Sequence, residues 1–240
     1  MNALLEIAAH PRDWTAFCRA AKSRGCSAMA HRRWFRAWSR TGATPLGDEL
    51  PWMTFAAAEF LSGWLQKDMN VFEWGSGGST IFFAKHAARV TAVEHEEAWA
   101  AQVRTAIAGR GIANARLEHL PPELDAAAMQ WDCADPSVCA SSGEKFRGQS
   151  FQRYVTFIDS FSDDVFDLVV VDGRARPSCI QHGMAKVKPG GFLLLDNAER
   201  QHYARAKTRL DAAGWELHDF TGPGPYCRQF WETVAWRRKG

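Results

Sequence analysis

The chain has 240 residues, 46% of them hydrophobic and 23% charged, and a formal net charge of +2. This is the balance of a soluble globular protein long enough to bury a core, and it excludes an acidic or basic partner for the molecule as a whole. Glu6, His10, Arg12 and Asp13 interrupt any signal-peptide core, and no uncharged run nears the roughly 20 residues that span a bilayer.

Residues 1–50 read as an N-terminal helical extension, with Trp14, Phe17, Cys18 and Ala21 at helical spacing and Trp34 and Trp38 repeating it later. Gly25 and the Gly42–Pro51 stretch punctuate it. Between His10 and Arg40 eight Arg and Lys stand against Asp13 alone, a local basic face that also raises nucleic acid as a partner. Thr54 precedes a helix-forming run, Phe55 to Leu61, and residues 51–240 then alternate strand and helix. Strands are expected at 71–74, 90–94, 115–119, 167–172 and 191–196, and helices at 80–88, 96–109, 150–162, 177–187 and 200–213. Phe166–Asp172 and Gly191–Asp196 are apolar almost throughout rather than alternating, as strands covered on both faces should be. Residues 121–149 interrupt the repeat as a Pro-, Ala-, Ser-, Gly- and Cys-rich loop insertion. After Gly214, two strand-like runs joined by a Gly-Pro-Gly-Pro turn predict an antiparallel ending to the sheet. The architecture expected is α/β, doubly wound and Rossmann-like, mostly parallel.

None of the six cysteines forms a CxxC pair or a zinc-finger spacing, so reduced thiols in a cytoplasmic protein are expected. Cys133 and Cys139 lie in the insertion, where pairing or metal binding competes with the plainer reading of two incidental thiols.

The most informative stretch is Val71-Phe72-Glu73-Trp74-Gly75-Ser76-Gly77-Gly78-Ser79-Thr80, followed by Val90-Thr91-Ala92-Val93-Glu94. An apolar strand opens into a glycine turn and a helix, and the next strand ends in an acid 19 positions after Gly75. That spacing puts a carboxylate beside a nucleoside ribose in a βαβ unit.

At these residues the chain resembles the class I S-adenosylmethionine-dependent methyltransferases, over about residues 50 to 240. Glu73-x-Gly75-x-Gly77 looks like that family's first motif, and Glu94 falls where its ribose-binding acid stands. Val169-Val170-Val171-Asp172-Gly173 is similar to its fourth-strand motif, and Lys188-Pro189-Gly190-Gly191-Phe192 to its turn into the fifth strand. Ser79 stands where a third glycine is frequent, and Leu117-Glu118-His119-Leu120 offers no clean equivalent of the acid near adenine.

The resemblance implies S-adenosylmethionine as cofactor and methyl transfer as activity. Glu94 would take the ribose hydroxyls, with His95 beside it. Glu73 would favour the methionine ammonium, Gly75, Ser76 and Gly77 would allow close approach, and Ser79 or Thr80 would start a helix whose amides favour anionic groups. Thr54 could bond the cofactor carboxylate or serve as a plain N-cap. Trp99 could line the adenine pocket or join the core.

Asp172 and Asp196-Asn197 would end neighbouring strands near the methyl group. Their pairing looks like the metal site of catechol O-methyltransferase-like enzymes, with Mg²⁺ held by Asp172, Asp196 and Asn197. Arg174 and Arg176 offer a metal-free alternative, in which they hold a carboxylate or phosphate while Asp172 or Asp196 acts as general base. The acceptor is expected to be a small or glycan-like molecule methylated at oxygen. Residues 1–50 would form a lid over it or a contact between two copies of the chain. The rivals are an RNA-modifying methyltransferase or nucleic-acid-binding module using the basic segment, and an NAD(P)-dependent oxidoreductase, against which Thr80 and the reversed last strands count.

Overall fold

The structure, a computed structural model, describes residues 3–240; residues 1 and 2 of the N-terminal extension lie outside them. The extension folds as four short helices, α1 (Ala3–Ala9), α2 (Pro11–Ser23), α3 (Phe35–Ser39) and α4 (Pro45–Asp48). Helix α5 (Phe55–Trp64) leads into β1 (Asn70–Trp74), and the alternation continues through α6 (Gly78–His86), β2 (Arg89–Glu94), α7 (Glu97–Gly109) and β3 (Ala115–His119). A two-residue pair, β4 (Glu123–Leu124) with β5 (Gln149–Ser150), ties the ends of the insertion together. Next come α8 (Gln152–Thr156), β6 (Phe166–Val171), α9 (Arg176–Gly183), β7 (Val187–Asp196) and α10 (Ala204–Ala212). The chain closes with β8 (Glu216–Asp219), the short pair β9 (Gly222–Pro223) and β10 (Phe230–Trp231), and β11 (Thr233–Arg237).

Seven strands form one sheet in the order β3-β2-β1-β6-β7-β11-β8. The first five run parallel, and β11 is antiparallel to both of its neighbours. The apolar runs of β6 and β7 are buried on both faces. Val169, Val171, Leu193 and Leu195 pack on one side with Phe72 and Trp74, while Leu168, Val170 and Leu194 pack on the other with Val71, Ala57 and Leu61 of α5. Each such side chain removed from water contributes about 1.5–3 kcal/mol. The strand order turns back at β1, so the crevice for a ligand opens at the carboxyl ends of β1 and β6.

Some boundaries differ from expectation. The helices expected at 150–162 and 177–187 tighten into 3₁₀ turns at Phe157–Ser160 and Met184–Lys186, and that at 200–213 begins with one at Gln201–Tyr203. Strand β7 starts at Val187, four residues early, because Lys188–Gly191 stays in the strand and the register against β6 shifts there.

The extension is anchored by aromatic packing. Phe17 meets Trp38 and Phe230 with ring centroids 5.0 Å apart in each case, and Trp38 Nε1 donates to the Gln229 carbonyl at 3.2 Å. Trp34 and Trp38 do not share one continuous helix, since Arg32–Trp34 is a 3₁₀ turn ahead of α3. Trp34 instead stacks on Phe55 at 6.4 Å. Half of the basic face is paired: Arg24, Arg33, Arg36 and Arg40 meet Glu199, Glu59, Glu6 and Asp48. Residues 45–50 lie against α6 so closely that a Cβ at Gly78 would collide with the carbonyl oxygens of Pro45 and Leu50. Among the described residues no helix is long and apolar enough to cross a membrane.

Candidate cofactor and acceptor site

A cavity of about 670 Å³ opens at the carboxyl ends of β1, β2, β6 and β7. Its floor is the turn from β1 into α6. Gly75 there has φ +99°, and a Cβ would press within 3.2 Å of the Asp172 carbonyl, so both conformation and proximity demand glycine. The Gly75 amide donates to the Val93 carbonyl at 2.8 Å, tying the turn to β2.

Glu94 ends β2 and faces the cavity, only 3% exposed. Its Oε1 accepts from the amides of His95 at 2.7 Å and Glu96 at 3.0 Å, and its Oε2 accepts from the Ser76 hydroxyl at 3.1 Å. Burial opposes ionisation, but the His95 side chain and these amides outweigh it and hold the carboxyl below its usual range. His95 Nδ1 lies 2.7 Å from Glu94, and its Nε2 accepts from Arg174 Nε at 3.4 Å. Trp99, half-buried on α7, donates from Nε1 to the Ser76 carbonyl at 2.8 Å and lines the cavity.

Gly75, Ser76, Gly77, Ser79, Glu94 and His95 therefore all line one cavity. Three expected cofactor residues do not. Glu73 is 2% exposed, and its two oxygens accept from the Ser79 hydroxyl at 2.7 Å and the Thr80 hydroxyl at 2.5 Å. Thr80 accepts in turn from the Gly77 amide at 3.1 Å. Both residues brace the turn from behind. Burial pushes the Glu73 carboxyl up to about 8 despite those two hydroxyls. Thr54 sits at the N-cap of α5 but is fully buried, and its hydroxyl donates to the Phe220 carbonyl at 2.8 Å, so it neither caps the helix nor reaches a ligand.

At the ends of β6 and β7 the expected divalent-cation site is not formed. The guanidinium of Arg176, 7% exposed, fills the space between Asp172, Asp196 and Asn197. Its Nε donates to the Gly173 carbonyl at 3.0 Å. Its Nη1 donates to the Asp196 carbonyl at 2.5 Å and Asn197 Oδ1 at 3.3 Å, and its Nη2 to the carbonyl and Oδ1 of Asp172 at 3.1 and 2.9 Å. All five of its N–H donors are thus engaged by the protein, which also corrects the expectation that Arg176 clamps an acceptor. The donor set does not fit Mg²⁺, because a fixed cation already neutralises it. Among the described residues no three His, Cys, Asp or Glu converge as metal ligands, and all six cysteines, Cys133 and Cys139 included, are free thiols.

Asp196 is 2% exposed, and its Oδ1 accepts from Trp231 Nε1 at 2.8 Å and the Thr233 hydroxyl at 2.5 Å. Burial and neighbouring Asp172 push it up to about 7, against the pull of Arg176. Burial likewise raises Asp172. Sequence reasoning missed the far wall of the cavity, formed by Pro45, Trp52, Arg200, Cys227, Gln229 and Trp231. Arg200 stands four residues beyond Asp196 and could have been found. The others carry no motif and arrive through tertiary packing.

No family profile matches the chain, and no curated protein matches it in sequence. Solved structures do match its fold. An O-methyltransferase from Bacillus cereus in complex with S-adenosylhomocysteine superposes with a TM-score of 0.60 at 15% identity, over 88% of this chain and 97% of that one. A protein from Corynebacterium glutamicum gives 0.58 at 11% identity, over 89% and 98%. A methyltransferase-like protein from Silicibacter pomeroyi gives 0.50 at 23% identity, over 78% and 87%. The chain has the class I S-adenosylmethionine-dependent methyltransferase fold.

Proposed function

We propose that the chain is an S-adenosylmethionine-dependent methyltransferase acting at an oxygen of a small or glycan-like acceptor. The observation that carries this reading is Glu94, an ionised carboxylate held by two amides and a hydroxyl at the edge of a cavity that runs from the glycine turn to Asp172 and Asp196. A carboxylate so placed suits two vicinal ribose hydroxyls, and the start of α6 suits the methionine carboxylate. The bound cofactor supplies a methyl group on a sulfonium centre, open to in-line attack by the acceptor oxygen.

The protein's own task is to align that oxygen and take its proton. Asp196 is the better base. Asp172 is drawn toward its charged form by Arg176 at 2.9 Å, whereas Arg176 meets only the backbone carbonyl of Asp196. A carboxyl raised to about 7 is matched to proton abstraction near neutral pH. Half of the basic N-terminal cations are paired with acids, which supports a small acceptor over a nucleic acid. The test is transfer of labelled methyl from S-adenosylmethionine to a panel of hydroxylated small molecules. Asp196→Asn should lower kcat by about 10²-fold or more while leaving S-adenosylhomocysteine affinity unchanged. Wild-type turnover in that variant would remove Asp196 from the mechanism.

A further inference from the structure

The two oxygens of the Asp196 carboxyl have different surroundings. Thr233 stands directly opposite Asp196 in the antiparallel pair of β7 and β11, and its hydroxyl donates to Oδ1 at 2.5 Å. Trp231 Nε1 donates to the same oxygen at 2.8 Å. Among the described residues Oδ2 receives no hydrogen bond, and Arg176 meets Asp196 at its main-chain carbonyl.

Both donors are locked in that role. An indole N–H can only donate. The Thr233 hydroxyl accepts from the Thr54 amide at 3.2 Å, which turns its proton toward Asp196. Thr54 and Thr233 are fully buried, and the Trp231 indole packs against Gly224, where a Cβ would overlap its six-membered ring. The glycine-proline turn before β10 and the N-cap of α5 thus converge on one carboxyl oxygen. A proton on Oδ1 would point at two donors, so the neutral carboxyl carries its proton on Oδ2. Asp196 lines the main cavity, and Oδ2 is the oxygen left to face it. The charged and titratable groups around this carboxyl are Asp172 beyond β6, Arg176 of α9 and Cys227 of the loop before β10. Burial and Asp172 raise it, while Arg176, Thr233 and Trp231 draw it back.

Given the methyl-transfer reading with Asp196 as base, we propose that Asp196 Oδ2 is the atom that takes the acceptor's proton, and that Trp231 and Thr233, backed by Gly224 and the Thr54 amide, are positioning residues that hold that oxygen toward the cavity. The step balances: Oδ2 gains the proton, the freed oxygen pair bonds the methyl carbon, and the methyl–sulfur pair stays on sulfur. Thr54, marked in the sequence as a cofactor contact, thereby serves the acceptor's end of the site through its backbone.

The test is a titration, from about pH 5 to 9, of the indole ¹H–¹⁵N signals of the full chain labelled with ¹⁵N-tryptophan, the Trp231 signal being assigned by its loss in Trp231→Phe. That signal should shift with a midpoint of about 7. The shift should vanish in Asp196→Asn and survive in Cys227→Ser. Thr233→Val removes one donor to the charged carboxyl and should raise the midpoint by about one to two pH units. Thr233→Ser keeps the hydroxyl and should restore it. In methyl-transfer assays Thr233→Val should raise the acidic limb of kcat by the same amount, with S-adenosylhomocysteine affinity unchanged. A Trp231 signal that does not titrate in the wild type, or a midpoint equal in wild type and Thr233→Val, would overturn the positioning. Should Thr233→Val fail to fold, the wild-type and Asp196→Asn titrations decide on their own. Full turnover in Asp196→Asn would instead remove Asp196 as base and Oδ2 with it, whereas the indole titration needs no turnover.

Discussion

Glu73 shows how a motif residue can be legible in sequence and yet do something else. Its place before the glycine turn marked the fold correctly, but the side chain points into the protein and braces Ser79 and Thr80. The unfolded chain releases that proton near 4.5, whereas the folded chain keeps it until about 8. Between those values the folded state binds more protons, so stability falls as pH rises and levels off above about 8. The loss is on the order of 1 kcal/mol per pH unit within that window. Glu73→Gln keeps the brace without a titrating group, so its melting temperature should decline less than wild type between pH 5 and 8. Parallel melting curves for the two proteins would contradict the assignment. Arg176 makes the same point. Asp172 and Asp196-Asn197 were readable as three oxygen ligands, but only the fold reveals that Arg176, four residues after Asp172, turns back onto the Asp172 and Asn197 side chains.

At the level of elements, the strands were legible because β6 and β7 are apolar on both faces, and a sheet covered twice leaves no other pattern. Helix ends were less legible, since the 3₁₀ turns at Phe157–Ser160 and Met184–Lys186 are set by packing under the sheet rather than by local caps. The placement of α4 was not legible at all. Its first residue, Pro45, and Leu50 just beyond it press on Gly78 at the first turn of α6, and Pro45 reaches the cavity. The extension therefore reaches the cavity beside the glycine turn, the part proposed to hold the cofactor. Gly78→Ala should force residues 45–50 away, destabilise the fold by about 1–3 kcal/mol and weaken S-adenosylhomocysteine binding together with turnover. A variant with wild-type melting temperature and cofactor affinity would contradict that contact.

For the whole molecule, the class I fold follows from the strand order and the reversed β11, and the order alone fixes where a ligand can sit. The far wall of that space comes from the extension, the loop before β10 and Arg200, elements distant in sequence with no shared motif. The central claim is that Glu94 holds the ribose of S-adenosylmethionine. Isothermal titration calorimetry with S-adenosylhomocysteine on wild type, Glu94→Gln and Glu94→Ala tests it most directly, with folding checked by circular dichroism. Wild type should bind, and Glu94→Ala should bind roughly tenfold or more weakly, since each charge-assisted hydrogen bond lost costs about 1.5–3 kcal/mol. Undiminished affinity in a folded Glu94→Ala, or wild-type binding to NAD(H) in preference, would contradict it.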